Sequence, residues 1–193
     1  LGYRGVGRDV TARRRSEREL AAAKERLELA LEGSNACLWD TDLQSGKVYV
    51  SEGWASFLGL PRAPTVTTIA ELQTGVHPED RQRLVESSIA VMKGEQAEYV
   101  QEHRFRAIDG SWKWLQSRGK VSERDATGRS LRMTGILFDI TARKRAEAAL
   151  AEAEERYRSL IELAPDAVVV SCGGVVEYAN PATARLVKAS SPK

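Results

Sequence analysis

Few residues in this chain combine the types and spacing that chemistry needs. Its two imidazoles, His77 and His103, are the candidates for a metal or haem. His77 stands directly before Pro78, where entry into a helix is its ordinary task. His103 shares strand parity with Tyr99, Gln101 and Phe105, so it faces either a pocket or the outer surface of a sheet. Cys37 and Cys172 have no metal-ligand spacing and read as buried or half-buried thiols of a reducing compartment. Trp39, Trp54, Trp112 and Trp114 could line a ligand cavity, but such aromatic mass first of all builds core and sheet surface. Glu102 and Arg104, two apart on one strand face, read as structural pairing groups. The sequence carries no phosphate-cradling glycine loop, nucleophile elbow, paired catalytic carboxylates or zinc spacing, so no enzymatic activity is expected of it.

The elements that position these residues are organised by a repeat. Asp139-Ile140-Thr141-Ala142-Arg143-Lys144-Arg145 echoes Asp9-Val10-Thr11-Ala12-Arg13-Arg14-Arg15. Aligned 130 positions apart, 5–32 and 135–162 share 13 of 28 residues, from Gly5 through Asp9, Thr11 and Leu20 to Glu32. Chance pairing would leave about two. Each copy joins an alternating, glycine-containing run to a long Ala/Glu/Arg/Leu stretch, hence a strand to a helix. Asp and Thr at the joint are residue types whose side-chain oxygens accept the orphan N–H groups of a first helical turn. Lys144 stands where a capping box would need Glu, so the box is incomplete.

With 42% hydrophobic and 29% charged residues the composition is that of a globular domain. No run approaches the roughly 20 apolar residues of a membrane span. A net charge of +2, with bases and acids interleaved along the helices, gives no reason to expect a nucleic-acid partner.

In chain order, 1–10 reads as a terminal strand and 11–32 as a helix with Leu20, Leu27 and Leu31 on one face. Ala36–Asp42 and Lys47–Val50 flank a turn at Gln44-Ser45-Gly46. A short helix follows over Glu52–Leu58, then a helical turn near Thr68–Gln73. His77-Pro78-Glu79-Asp80 opens a longer helix that Gly94 stops. Ala97–Ile108 and Ser111–Glu123 are strands joined at Asp109-Gly110, and Leu131–Ile140 is the last strand. From Thr141 a second long helix carries Ala146, Leu150, Ala153, Tyr157 and Ile161 on one face. These seams are narrow, and the pairs Arg13–Glu17, Glu152–Arg156 and Glu154–Arg158 add only a few tenths of a kcal/mol each. A parallel coiled-coil partner would cover them; folding back on the domain is the alternative. The expectation is an α+β fold, a five-stranded antiparallel sheet with helices on one face, flanked by long amphipathic helices.

His77-Pro78-Glu79-Asp80-Arg81, Glu102-His103-Arg104-Phe105-Arg106, Asp109-Gly110-Ser111-Trp112-Lys113-Trp114, Gly135 and Asp139-Ile140-Thr141 follow one another in an order that resembles the PAS sensory domains with their C-terminal PAC motif. The nearest likeness is to the subgroup reading HPEDR. The resemblance covers 33–141. Val175-Val176-Glu177-Tyr178-Ala179-Asn180-Pro181-Ala182 resembles the second strand and first helix of another such domain.

The resemblance implies a bacterial tandem-PAS signalling protein with a histidine kinase or diguanylate cyclase output. It implies the division 1–10 (end of a preceding PAS domain), 11–32 (linker helix), 33–140 (complete domain), 141–162 (signalling helix) and 163–193 (start of a following domain). Asp139, Ile140 and Thr141, with Asp9 and Thr11 in the earlier copy, are the expected signal-coupling residues. Leu20, Leu27, Leu31, Leu150, Tyr157 and Ile161 are the expected seam of a parallel homodimer, beside neighbouring PAS and output domains. In the family an aromatic residue usually stands where His103 is. Cys37 lies in the first strand, without the Asn-Cys-Arg-Phe-type helix motif of the flavin-binding subgroup. No cofactor is therefore expected, and a small ligand of unknown identity stays open. The expected location is the cytoplasm, including the cytoplasmic part of a membrane-anchored sensor. A ligand-dependent sensor and a pure dimerisation spacer are the competing readings.

Overall fold

The structure is a computed structural model and describes residues 11–34 and 36–187, with backbone alone for Thr11, Ala12, Arg13, Ser16, Leu27, Glu28 and Glu32. The strand expected over 1–10 with Asp9, and the side chains of Thr11 and Leu27, lie outside the described residues. The chain divides after Thr141 into two compact units.

The first unit runs α1 (Thr11–Gly33), β1 (Ala36–Asp42), β2 (Lys47–Val50), α2 (Gly53–Phe57), β3 (Thr65–Thr68), α3 (Ile69–Gly75), α4 (Pro78–Lys93), β4 (Tyr99–Arg106), β5 (Trp112–Arg124) and β6 (Ser130–Asp139). The strands form one antiparallel sheet in the order β3-β2-β1-β6-β5-β4. Five of them are the expected sheet. The sixth, β3, is an added edge strand: once Pro61 and Pro64 have barred a helix, the β-branched run Thr65-Val66-Thr67-Thr68 pairs with β2. Thr68 then caps α3 in a full capping box with Glu71.

Alternation along the strands sets one sheet face inward. Cys37 and Leu115 there have no exposed surface and Val50 has almost none, and Val91 of α4 is buried to the same degree. Each aliphatic chain so buried contributes about 1.5–3 kcal/mol. Trp54 and Phe105 meet edge to face at 4.7 Å between ring centroids.

One row across the sheet controls this face. Trp39 pairs with Gly135, Gly135 with Gly119, and Gly119 with Tyr99. The indole lies over both glycines and meets Tyr99 edge to face at 6.3 Å. A Cβ on Gly135 would stand 2.0 Å from the Arg118 carbonyl and 2.5 Å from the indole, so only glycine fits.

Helix α4 is held to the sheet at both ends. At its start His77 accepts the Glu79 N–H at Nδ1, and Pro78 fills the first turn. Asp80, 5% exposed, accepts from the Arg104 backbone N–H (2.8 Å) and from its Nε and Nη2 (3.0 Å each), while Glu79 takes Nη2 at 2.7 Å. At its end Gly94 takes the left-handed conformation (φ 79°), and Arg124 and Ser130 donate to the Met92 carbonyl.

The second unit continues the helix begun at Thr141 as α5 (Thr141–Leu163), followed by the hairpin β7 (Val169–Cys172) and β8 (Val175–Ala179) and by α6 (Pro181–Leu186). Asn180, fully buried, accepts at Oδ1 from the Val168 and Thr183 N–H groups, and its Nδ2 donates to the Ile161 and Asp166 carbonyls. The Asn180 N–H returns to the Val168 carbonyl at 3.0 Å. In the first unit Ser51 makes the same reciprocal latch with Leu38, at 2.8 Å and 2.9 Å. Leu38 and Val168 are 130 positions apart, the offset of the sequence repeat.

Gly135→Ala is expected to destabilise the first unit by about 1–3 kcal/mol through overpacking, read from urea unfolding of the full chain. For Asp80, burial alone would raise the carboxyl pKa, but the Arg104 side chain and backbone N–H outweigh it and hold it below the usual range. A lowered folded-state value means that its stabilisation is complete above the unfolded value of about 3.9 and is lost as pH falls through the folded one. Asp80→Asn is expected to cost about 1.5–3 kcal/mol at pH 7, with the gap to the parent closing below pH about 4.

Candidate functional site

Two features of the first unit can carry a signal: a cavity, and the joint between β6 and α5. The cavity, about 290 Å³, lies between the inner sheet face and helices α2, α3 and α4. Trp39, Trp54, Tyr99, His103, Phe105 and Met133 are among its lining. The open alternative for His103 is thus decided by the sheet: its parity points into the cavity rather than outward. Trp112 is 39% exposed and neither it nor Trp114 lines the cavity, so the four tryptophans divide evenly.

The lining holds one cation, Arg81, beside neutral polar groups. Burial depresses the His103 pKa to about 4, with the Asp80 carboxylate offsetting only part of that, so the imidazole is neutral at pH 7. The Arg81 guanidinium donates to the Val76 and Thr74 carbonyls, neutral acceptors that orient it without cancelling its charge. Tyr99, hydrogen-bonded to Ser88, is pushed up to about 12 by burial and stays protonated. Trp39 Nε1 and His103 Nδ1 are buried without a hydrogen-bond partner. Cys37 packs its thiol against Ser51, and burial raises its pKa, which suits a core residue rather than a nucleophile. His77 caps α4 and meets the Trp112 ring at 4.6 Å. Among the described residues no three His, Cys, Asp or Glu side chains gather as a metal site.

The joint is tied to β5 rather than only to its own helix. The Ile140 N–H donates to the Trp114 carbonyl at 2.9 Å, and the Trp114 N–H donates to Thr141 Oγ1 at 3.0 Å. Asp139 accepts the Thr141 N–H at 2.8 Å and lies 4.0 Å from Lys113 Nζ. The capping expected of both residues is therefore divided. Asp139 takes an orphan N–H of the first turn, whereas Thr141 turns its hydroxyl to the neighbouring strand. The reason is position: Thr141 is already the first helical residue, and helix side chains tilt toward the N-terminus, here toward the sheet. Ile140 and Thr141 are both buried.

Trp114 and Lys113 complete this joint, and sequence spacing alone did not single them out for it. Their signal is the β5–β6 register, which sets Leu115 opposite Asp139. Trp114 also receives the Arg104 guanidinium over its ring at 5.4 Å. Asp80, Arg104, Trp114 and Thr141 thus form one contact chain from α4 to the start of α5.

Of the expected seam residues, Leu20, Leu150 and Tyr157 are 72%, 62% and 68% exposed, and Leu31 and Ile161 are half-buried. Leu160, 62% exposed, continues the spacing 150, 153, 157 better than Ile161 does. No helix among the described residues is long and apolar enough to cross a membrane.

Comparison with known proteins meets this geometry. The profile of a family described as PAS fold matches residues 47–137, and one described as PAS domain matches 155–191. The two-component sensor PprA of Pseudomonas aeruginosa is 30% identical over 171 residues, and the sensor protein FixL of Bradyrhizobium diazoefficiens 28% over 163. These alignments cover 86% and 84% of this chain but only 18% and 32% of the relatives, so the chain spans a third or less of their length. The solved sensory box histidine kinase/response regulator of Burkholderia thailandensis E264 is 33% identical with a TM-score of 0.60, over 70% of this chain and 99% of that one. A relative one third identical and matched almost end to end, on a fold of this class, makes the chain a member of the PAS family of sensory domains.

Proposed function

We propose that the first unit senses and relays, passing a change of state through Asp139, Ile140 and Thr141 into α5. The observation that carries this reading is the bond from the Trp114 N–H to Thr141 Oγ1: the first residue of the outgoing helix completes the hydrogen bonding of a sheet strand. Any shift of β5 against β6 must then strain or move the start of α5. The Asp80–Arg104–Trp114 contacts extend the same route to a helix that walls the cavity. Asp9 and Thr11 would play the same part in an earlier copy.

In this reading α1 and α5 pair with those of a second copy in a parallel homodimer, through Leu20, Leu27, Leu31, Leu150, Tyr157 and Ile161, with Leu160 added. Exposure of Leu20, Leu150 and Tyr157 in the single chain supports it. The parent is a bacterial multi-PAS signalling protein acting in the cytoplasm, with a histidine kinase output as the names of the relatives suggest, or a diguanylate cyclase. Residues 1–10 and 163–193 belong to preceding and following PAS domains; the match over 155–191 supports the latter. The cavity favours a second reading, in which the signal is a bound ligand.

Asp139→Ala with Thr141→Ala is expected to bias or uncouple output of the parent protein. It should cost only about 1–3 kcal/mol, since it strands the Trp114 N–H. Wild-type output, or outright unfolding seen by circular dichroism, would sink the relay and leave a spacer. Leu150→Glu places charge on the seam and is expected to weaken self-association by about tenfold or more; unchanged sedimentation would remove the dimer.

A further inference from the structure

Asn180 spends every polar atom of its side chain on bonds to three segments of the second unit. Its Oδ1 accepts from the Val168 N–H at 2.9 Å, the Thr183 N–H at 3.0 Å and the Thr183 hydroxyl at 2.9 Å. Its Nδ2 gives one hydrogen to the Ile161 carbonyl at 3.0 Å and the other to the Asp166 carbonyl at 2.9 Å. Ile161 lies in the last turn of α5, whose carbonyls have run out of intrahelical N–H partners. Besides Asn180 its carbonyl receives only the longer bond from the Ala164 N–H, at 3.3 Å, among the described residues. One fully buried side chain therefore binds the end of α5, the segment that leads to β7 and the start of α6.

The earlier copy of the repeat closes its helix differently. Leu31 of α1 stands 130 positions before Ile161, and its carbonyl takes the hydroxyl of Ser34 at 3.1 Å, which also lies 2.9 Å from the Ala30 carbonyl. Ser51, which latches Leu38 as Asn180 latches Val168, has a single side-chain donor and turns it to Cys37 Sγ. A carboxamide offers an acceptor and two donors, so it can hold the latch and grip a helix at once; a hydroxyl cannot. Thus α1 is capped by a serine just past its own end, and α5 by a residue from the core of the unit that follows.

We infer that Asn180 is the receiving joint of the relay: it positions the end of α5 against the hairpin and α6, so that a shift or rotation of the helix reaches Val168 and Thr183. Such a role rests on the relay reading above and adds the point at which the signal leaves α5. The physical reason is burial. Water does not reach Asn180, so a displacement of Ile161 either carries the carboxamide with it or strands a buried donor, and stranding is the costly course.

Amide hydrogen exchange and amide NMR signals of the full chain test this. Asn180→Ser, which copies the first unit, is expected to keep the Val168 latch and to speed exchange over Leu160–Leu163 about fivefold. Thr183→Val, which loosens α6 but leaves both Nδ2 bonds, is expected to leave those rates unchanged. The joint is then perturbed at the other end of the helix. Asp139→Ala with Thr141→Ala is expected to shift the amide signals of Val168 and Thr183 but not those of Gly173 and Gly174 at the hairpin tip, and to lose the former shifts when Asn180→Ser is added. Equal acceleration by Thr183→Val, persistence of the shifts with Asn180→Ser, or equal shifts at the hairpin tip overturns the role of Asn180. Unmoved Val168 and Thr183 signals beside a responding α5 overturn it while leaving the relay standing, and silence along α5 as well overturns both. If Asn180→Ser unfolds the second unit, the contrast between Val168 and Thr183 and the hairpin tip in the otherwise native chain decides.

Discussion

The indole of Trp39 spread across Gly135 and Gly119 is the contact on which the first unit depends. Two paired strands can pass under a large ring only if neither places a side chain there, so two glycines face each other in adjacent strands. That arrangement brings β1 and β6, the first and last strands of the sheet, side by side at its centre, and the indole becomes part of the cavity lining. The same ring therefore belongs at once to the core, to the cavity and to the strand that ends at Asp139.

From this row the sheet divides its labour between its faces. Inward, Tyr99, His103 and Phe105 on β4 meet the helices around a largely apolar space. Outward, Arg104 and Trp114 sit in register and stack, and Arg104 reaches round the edge strand to Asp80 and Glu79 on α4. The acids that suit the N-terminus of α4 electrostatically are thus also the acids that fasten that helix to β4. The Thr141 hydroxyl extends the outer route to α5, since it accepts from the backbone of the strand on which Trp114 stands. A cavity on one face and a joint reached from the other are linked through shared strands rather than through a separate device.

Much of this was legible from local pattern. Asp109-Gly110, Asp125 to Gly128 and Gly94 each impose a turn or a stop, and β1, β2, α4, β5 and β6 lie where period and punctuation put them. Strand β3 was not legible, because four β-branched residues after two prolines are too short a run to announce pairing, which needs β2 as a template. The partners of the joint were hidden for a different reason: Trp114 and Thr141 are 27 positions apart, and only the antiparallel register makes them neighbours.

Sequence by itself determined the strand and helix alternation, the repeat at 130 positions and the residue types at the joint, because these depend on periodicity, turn chemistry and capping, all of which act within a few residues along the chain. Tertiary structure alone decided that His103 looks into a cavity and is held neutral, that Arg104 binds Asp80 rather than a neighbour on its own strand, and that Thr141 serves β5 instead of its own helix. Those outcomes depend on which strands lie side by side and how deeply each group is removed from water. Both are set by the packing of segments far apart in sequence.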